Sequence, residues 1–98
     1  MAAYLIVTAQ LHDRKRFLAG YAPAAAALTE RFGGEYVLRA AGAEVLEGEH
    51  PGGSVVVSRW PDRAAALAFW NSPEYVRARA LREGIADCQV VIVEEPTL

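Results

Sequence analysis

The sequence has few of the residues that build metal, disulfide and nucleotide sites. It holds one cysteine, Cys88, and two histidines, His12 and His50, among 98 residues. A lone cysteine excludes an internal disulfide and suits a reducing cytoplasm, which is the location we predict. These side chains show no zinc-ligand spacing, and there is no glycine-rich phosphate loop or G-x-S-x-G turn. We therefore predict neither a metal nor a cofactor.

An excess of positive charge and a long apolar run are also missing. The formal net charge is −2, from 10 basic and 12 acidic residues, and no basic stripe suits a phosphate backbone. No apolar run approaches the ~20 residues of a membrane span. The N-terminus lacks the basic start of a signal peptide. Nucleic acid and membrane are therefore not expected as partners.

What the sequence has in abundance is apolar residues, at 53% of the chain. A chain of 98 residues makes one domain, predicted to span 1–98, with one modest core. Such a core takes up only part of this apolar content. The remainder is predicted to line a cavity or to cover a second copy of the chain, so we expect a homodimer.

The order of predicted elements is β-α-β followed by β-α-β. Aliphatic and β-branched runs predict strands at 3–11, 35–40, 54–60 and 88–95, with a short extension or hairpin arm at 43–49. Helical spacing of apolar residues predicts helices over 13–32 and 62–84. Two split β-α-β units give an antiparallel four-stranded sheet of order 4-1-3-2 with both helices on one face. The predicted fold class is therefore α+β, a ferredoxin-like βαββαβ sandwich.

Both predicted helices are expected to bend. Pro23 removes a backbone donor and should kink the first helix just after Tyr21. In the second, Ser72 suits a helix cap and Pro73 suits the first helical position, so one helix ends and another begins there. Asp13 and Asp62 open the two helices 49 positions apart, which suggests an internal repeat.

Alternation along the strands separates the two faces of the predicted sheet. Leu5, Val7, Ala9 and Leu11 form an apolar face that we expect to meet the helices. The opposite face is predicted to be a mixture of apolar and polar side chains: Tyr4, Ile6, Thr8, Gln10, Glu35, Val37, Arg39, Ser54, Val56, Ser58 and Trp60. A mixed face suits packing on a second sheet or around a polar ligand. Dimerisation is therefore expected to enclose Arg39.

Arg39 and Glu47 are the candidate catalytic residues. A guanidinium on the mixed face could hold a carboxylate or enolate at two points. The alternative is a salt bridge from Arg39 to Glu47 or Glu35. Glu47 could act as a general base if it is buried near substrate, or it could serve only as a structural partner of Arg39.

Five residues near the two helix bends are candidate substrate-binding residues. Tyr75, Arg79 and Arg82 lie within ~60° of one another on a helical wheel and could form an anion-binding edge. The alternative is a solvated face with arginine stems packed on apolar surface. Tyr21 and Trp70 are interpreted as cavity-lining residues or as plain core aromatics.

Several short motifs of the chain resemble a known family. They are Gly33-Gly34, Arg39, Glu47-Gly48, Trp60-Pro61, Phe69-Trp70, Ser72-Pro73-Glu74-Tyr75 and Leu81-Arg82. Their order and spacing are similar to those of the DUF1330 family over nearly the whole chain. The resemblance implies a dimeric α/β barrel, in which a ferredoxin-like subunit packs its sheet on that of its partner. Similar folds host cofactor-free monooxygenases, isomerases and haem enzymes, so the resemblance implies a fold and no single activity.

Three functions are compatible with these observations. The first is a small dimeric enzyme without metal or nucleotide, in which Arg39 holds an anionic oxygen, Tyr21 or Tyr75 donates a hydrogen bond and Glu47 moves a proton. The second is a dimer that binds a small polar or anionic molecule in the same pocket without catalysis. The third is a dimer with no ligand. A cavity between sheet and helices with Arg39 and Glu47 exposed to it would favour the first two.

Overall fold

The protein is described here by a computed structural model covering residues 1–96, so 97–98 of the predicted domain lie outside the described residues. The elements in chain order are β1 (Ala3–Leu11), α1 (Arg14–Ala19), α2 (Tyr21–Arg31), β2 (Glu35–Ala43), β3 (Gly53–Trp60), α3 (Arg63–Asn71), α4 (Pro73–Ala80) and β4 (Ala86–Glu94). The strands form one antiparallel sheet of order β2-β3-β1-β4. The predicted strand order and the α+β, βαββαβ fold class are confirmed. Within residues 1–96, no helix has the length and apolar character that a membrane span needs.

Each predicted helix is indeed two helices, and the first break lies earlier than predicted. The break falls at Gly20, between α1 and α2, and not after Tyr21. Pro23 is the third residue of α2, in the first turn, where backbone N–H groups have no intrahelical partner. Its missing N–H therefore costs no hydrogen bond, and the proline does not bend the helix. The predicted kink site is corrected to Gly20.

The second break was predicted correctly. The Ser72 hydroxyl donates to the Phe69 carbonyl at 2.8 Å and accepts from the Tyr75 backbone N–H at 3.1 Å. It therefore satisfies the end of α3 and the start of α4 together, and Pro73 takes the first position of α4. The carboxylates of Asp13 and Asp62 cap α1 and α3 in the same way, each accepting the N–H three residues ahead. The two halves of the chain thus repeat one local design.

The core lies between the helices and one face of the sheet. Its largest fully buried side chain is Trp60, at 1% exposure, and its indole N–H donates to the Ser58 hydroxyl at 2.9 Å. The other buried members of the cluster are Leu5, Ala25, Ala66, Phe69, Tyr75 and Ala78. Trp60 leaves no room beside Gly34, where an added methyl group would lie 2.7 Å from the indole ring. A glycine at this position therefore permits close packing of the β2 start on the tryptophan.

The face of the sheet assigned to β3 was predicted wrongly. In the antiparallel register Leu5 is paired with Ser58 and Val7 with Val56, and paired residues point to the same side. Leu5 and Val7 face the helices as predicted, so Ser54, Val56, Ser58 and Trp60 face the helices too. The outward face holds instead Val55 and Val57, and it is more apolar than predicted.

Arg39 also lies on the helix side of the sheet, because β2 carries an irregularity at Val37. Tyr36 pairs with Ser58 and Leu38 with Val57, so Val37 is an extra residue in the strand. The bulge places Arg39 on the same side as Tyr36, and the Arg39 guanidinium lies 4.7 Å from the Tyr36 ring centre. The expectation that Arg39 lies on the face opposite the helices is therefore corrected: it lies on the helix side of the sheet, at the mouth of the space between sheet and helices, with its side chain exposed.

Candidate functional site

A cavity of about 130 Å³ lies between the helices and the sheet. Its lining comes from every strand and from α1 to α4, and it consists mostly of apolar side chains. The lining residues are Leu5, Val7, Ala9, Phe17, Tyr21, Ala22, Ala25, Thr29, Tyr36, Arg39, Ser54, Val56, Ser58, Phe69, Trp70, Tyr75, Cys88 and Val90. An apolar cleft with a few polar groups is the usual form of a small-molecule site.

The two helix breaks build the aromatic wall of this cavity. Tyr21 is the first residue of α2, directly after the break at Gly20, and Tyr75 lies in the first turn of α4, directly after the Ser72 cap. If each pair of helices were one continuous helix, Tyr21 and Tyr75 would follow the directions of those helices and their rings would not meet. The breaks allow them to meet, and Trp70 and Phe69 extend the wall, with ring centres 5.5 Å and 4.3 Å from that of Tyr75.

Tyr21 and Tyr75 share one hydrogen bond, with 2.6 Å between their hydroxyl oxygens. Burial, reinforced by the adjacent Tyr75, raises the pKa of Tyr21 well above its ordinary value. Tyr21 therefore stays neutral and can donate a proton in a hydrogen bond, but it cannot serve as a base near neutral pH. Two hydroxyls carry two hydrogens, and their shared bond uses one. Within residues 1–96 the second hydrogen has no protein acceptor.

Arg79 and Arg82 lie behind the aromatic wall and do not line the cavity. The Arg79 guanidinium stacks 4.3 Å from the Trp70 ring centre and 5.5 Å from that of Tyr75, and Arg82 lies 5.1 Å from that of Tyr21. Both arginines line a separate shallow groove beside α4. The structure thus brings all five predicted substrate-binding residues into one cluster, with the aromatic rings facing the cavity and the arginines supporting them.

Arg82 is partly buried beside the Tyr21 ring. Burial acts to lower the pKa of its guanidinium, but the Tyr21 and Tyr75 phenols and the Cys88 thiol outweigh that effect and raise the pKa. The group is therefore always charged. Its Nε is buried and has no hydrogen-bond partner among residues 1–96.

Arg39 lies at the β2 end of the cavity and is separated from its predicted acidic partners. Its side chain is largely exposed, it contributes to the lining, and it forms no ion pair within residues 1–96. Glu47 lies in the exposed loop between β2 and β3, outside the lining, and Glu35 begins β2 with its side chain exposed. The structure does not bring Arg39 and Glu47 together, and a catalytic role for Glu47 stays a prediction.

Phe17, Tyr36 and Cys88 are among the lining residues that the sequence did not identify as part of a site. Cys88 pairs with Ala9 across β1 and β4, so the alternation that placed Ala9 toward the helices also places the thiol there. The antiparallel register would have identified it. In the described part of the chain, no three His, Cys, Asp or Glu side chains come together as a set of metal ligands.

The fold resembles solved structures at low sequence identity. The chain is similar to RPA0582, a protein of unknown function from Rhodopseudomonas palustris, with 18% identity and a TM-score of 0.78 over 99% of this chain and 84% of that one. It is similar to SnoaB, a cofactor-independent oxygenase from Streptomyces nogalater, with 13% identity and a TM-score of 0.71 over 99% and 95% of the two chains.

A third similar structure is an antibiotic biosynthesis monooxygenase, with 20% identity and a TM-score of 0.54 over 99% of this chain and 100% of that one. At these identities the likeness shows the fold alone. No curated protein gives a significant match to the sequence. The family model described as domain of unknown function DUF1330 matches residues 2–96, which is nearly the whole chain. The chain therefore belongs to the DUF1330 family, as its motifs predict.

Proposed function

We propose that this protein binds a small anionic organic molecule in the cavity between its helices and its sheet. The observation that carries the proposal is the position of Arg39, a guanidinium without an ion-pair partner in residues 1–96 at the end of an otherwise apolar, aromatic cavity. A cation beside apolar walls favours a ligand with an apolar body and an anionic group. Arginine matches a carboxylate with two parallel N–H donors.

Binding of benzoate, measured by isothermal titration calorimetry, tests this proposal. A hydrogen bond to a charged group contributes about 1.5–3 kcal/mol, so Arg39→Ala should weaken binding by roughly 10- to 100-fold. Arg39→Lys should restore only part of the affinity, because an ammonium lacks the planar two-point geometry. Arg77→Ala, an exposed arginine outside the cavity lining, is the matched control and should bind as the wild type does. Equal affinities of wild type and Arg39→Ala would refute the role of Arg39.

A homodimer is the second part of the proposal, and the outward face of the sheet supports it. This face carries Leu38, Val91 and Val93, which are 48%, 54% and 43% exposed, beside Val55 and Val57. The molecule is a slab of 34 × 34 × 17 Å. Its broad side is on the order of 1,000 Å², and a stable interface needs about 800 Å² from each partner. A second copy packed sheet to sheet would cover it.

Sedimentation velocity tests the dimer. Val57→Glu combined with Val91→Glu places two carboxylates on the outward face, and we expect a species of single-chain mass in place of the dimer. Val76→Glu changes a comparably exposed valine on α4, at 48%, and should leave the dimer intact. A wild-type protein that sediments as one chain at micromolar concentration would contradict this part of the proposal.

Cofactor-independent oxygenation is a second candidate function, favoured by the similarity to SnoaB, whose structure is described as that of such an enzyme. The test is uptake of isotopically labelled O₂ by metal-free protein with electron-rich aromatic compounds. Label that enters the product, at a rate lowered in Arg39→Ala, would support oxygenation. In the same assay, a loss of rate in Glu47→Gln would support the predicted proton transfer. Absence of labelled product would leave ligand binding as the function.

The cellular location is proposed to be the cytoplasm. The support is the single cysteine, Cys88, which is unpaired and faces the cavity. Reducing compartments keep such thiols free.

A further inference from the structure

We infer that the ligand is a single-ring aromatic acid that carries a second oxygen, a hydroxyl or carbonyl, on the side of the ring away from its carboxylate. This inference rests on the proposed function and specifies the class of molecule that the same cavity takes. Three features of the cavity carry it: its two separated polar ends, its volume with its aromatic wall, and the unused hydrogen of the tyrosine pair.

Arg39 and the Tyr21–Tyr75 pair approach the cavity from different sides, and the hydroxyls of Thr29, Ser54 and Ser58 also line it. Arg39 is on β2, one edge of the sheet, and Cys88 is on β4, the other edge. Arg82 lies beside both the Cys88 thiol and the Tyr21 ring, so the Tyr21–Tyr75 pair lies toward the β4 end, with Tyr36 of β2 on its other side. The two edge strands are three strand spacings apart, about 14 Å. Because both sets of side chains reach inward, the span between their polar atoms is shorter than this.

The middle of the cavity suits one flat ring. Aliphatic side chains of the sheet, among them Val7, Val56 and Val90, face the aromatic wall of Phe69 and Trp70 across it. An apolar cavity of about 150 Å³ is known to hold benzene. The 130 Å³ found here therefore has room for a single ring and not for three fused rings.

The Tyr21–Tyr75 pair favours a ligand that carries an oxygen at the end of its ring away from the carboxylate. One hydroxyl hydrogen of the Tyr21–Tyr75 pair has no acceptor among residues 1–96. A buried donor without an acceptor is unfavourable, so a ligand oxygen that accepts this hydrogen binds better than a bare C–H edge. Since Tyr21 is neutral, the pair donates and does not accept a proton from the ligand. The ligand oxygen can therefore be a hydroxyl, a carbonyl or an enolate-type oxygen.

Four probes and one double variant test the inference by calorimetry: 4-hydroxybenzoate, benzoate, phenol and hexanoate. In the wild type, 4-hydroxybenzoate should bind about tenfold more tightly than benzoate, and more tightly still than phenol or hexanoate. Tyr21→Phe combined with Tyr75→Phe removes both donors and keeps both rings. This variant should lose the tenfold preference for 4-hydroxybenzoate, so that it binds 4-hydroxybenzoate and benzoate with similar affinities.

The outcomes separate this inference from the proposed function. If none of the four probes binds the wild type, the proposed function fails and the inference fails with it. If hexanoate binds as tightly as 4-hydroxybenzoate and remains sensitive to Arg39→Ala, the proposed function stands and the aromatic class is wrong. If the double variant still binds benzoate and keeps the preference for 4-hydroxybenzoate, the tyrosine pair does not donate a hydrogen bond to the second oxygen of the ligand. A double variant that no longer binds benzoate would point to a collapsed cavity. Tyr21→Phe and Tyr75→Phe are then measured singly: the variant that removes the hydroxyl donating to the ligand should lose the preference for 4-hydroxybenzoate, and a full preference in both would refute the role of the pair.

Discussion

Replacing Tyr21 by phenylalanine should make the protein less stable near neutral pH and more stable in strong alkali. At pH 8 the variant loses the 2.6 Å hydrogen bond to Tyr75, and one such bond contributes ~1 kcal/mol to the free energy of unfolding. The alkaline effect has the opposite sign. The folded state holds Tyr21 protonated because burial raises its pKa, whereas the unfolded chain releases that proton near pH 10.

The size of the alkaline effect follows from proton linkage. The stabilisation is fully present below the unfolded pKa and is lost as the pH rises, because the unfolded state then binds fewer protons. One proton corresponds to ~1.4 kcal/mol per pH unit once the pH exceeds 10, so the wild type loses about 2 kcal/mol through Tyr21 by pH 11.5. The Tyr21→Phe variant does not have this loss. The two stability curves should cross between about pH 10.5 and 11.

Urea unfolding followed by tryptophan fluorescence between pH 8 and 11.5, at constant ionic strength, measures both effects. Tyr75→Phe is the matched control. It removes the same hydrogen bond but leaves Tyr21 buried, so it should be less stable than the wild type at pH 8 and should keep the alkaline decline. Curves of Tyr21→Phe and wild type that stay parallel over the whole range would refute the neutral, buried state of Tyr21.

Two further predictions concern the residues that fix the shape of the cavity. Gly34→Ala should lower the free energy of unfolding by about 1–3 kcal/mol, since its methyl group would lie 2.7 Å from the buried Trp60 ring. Gly42→Ala is the control: open space surrounds this position, so the free energy of unfolding should change little. Ser72→Ala should lower it by ~1 kcal/mol through loss of the α4 cap, and Ser72→Thr should retain most of that stability. Urea unfolding checks all four variants, and a Gly34→Ala protein as stable as the wild type would mean that Trp60 is not fixed in place.

Much of the fold could be predicted because local chemistry determines it. Asp13, Asp62 and Ser72 cap helices where the sequence places them, and the strand order follows from two split β-α-β units. The position of the first helix break was missed because a proline costs nothing in the first turn of a helix. Gly20 was the better signal there, since glycine weakens a helix from within.

The site was harder to predict because it depends on long-range register. Alternation divides β3 into two sets of side chains, but it does not say which set faces the helices. The pairing of Leu5 with Ser58 determines which set faces the helices. This pairing joins two strands that are far apart in the sequence, so local patterns do not reveal it. The sequence also does not show that Arg79 and Arg82 lie behind the aromatic rings and outside the cavity. A helical wheel gives the angle of each residue around the helix axis, but it does not show where the neighbouring aromatic rings lie.

The extra residue at Val37 determines which side chains of β2 face the helices. If Val37 paired with Val57 in place of Leu38, every later side chain of the strand would turn over, so that Leu38 would face the cavity and Arg39 would point away from it. Deleting Val37 would instead leave Leu38 opposite Val57 and Arg39 opposite Val56, and would only make the ladder regular. The bulge therefore accommodates one additional residue of strand length while the guanidinium stays on the cavity side.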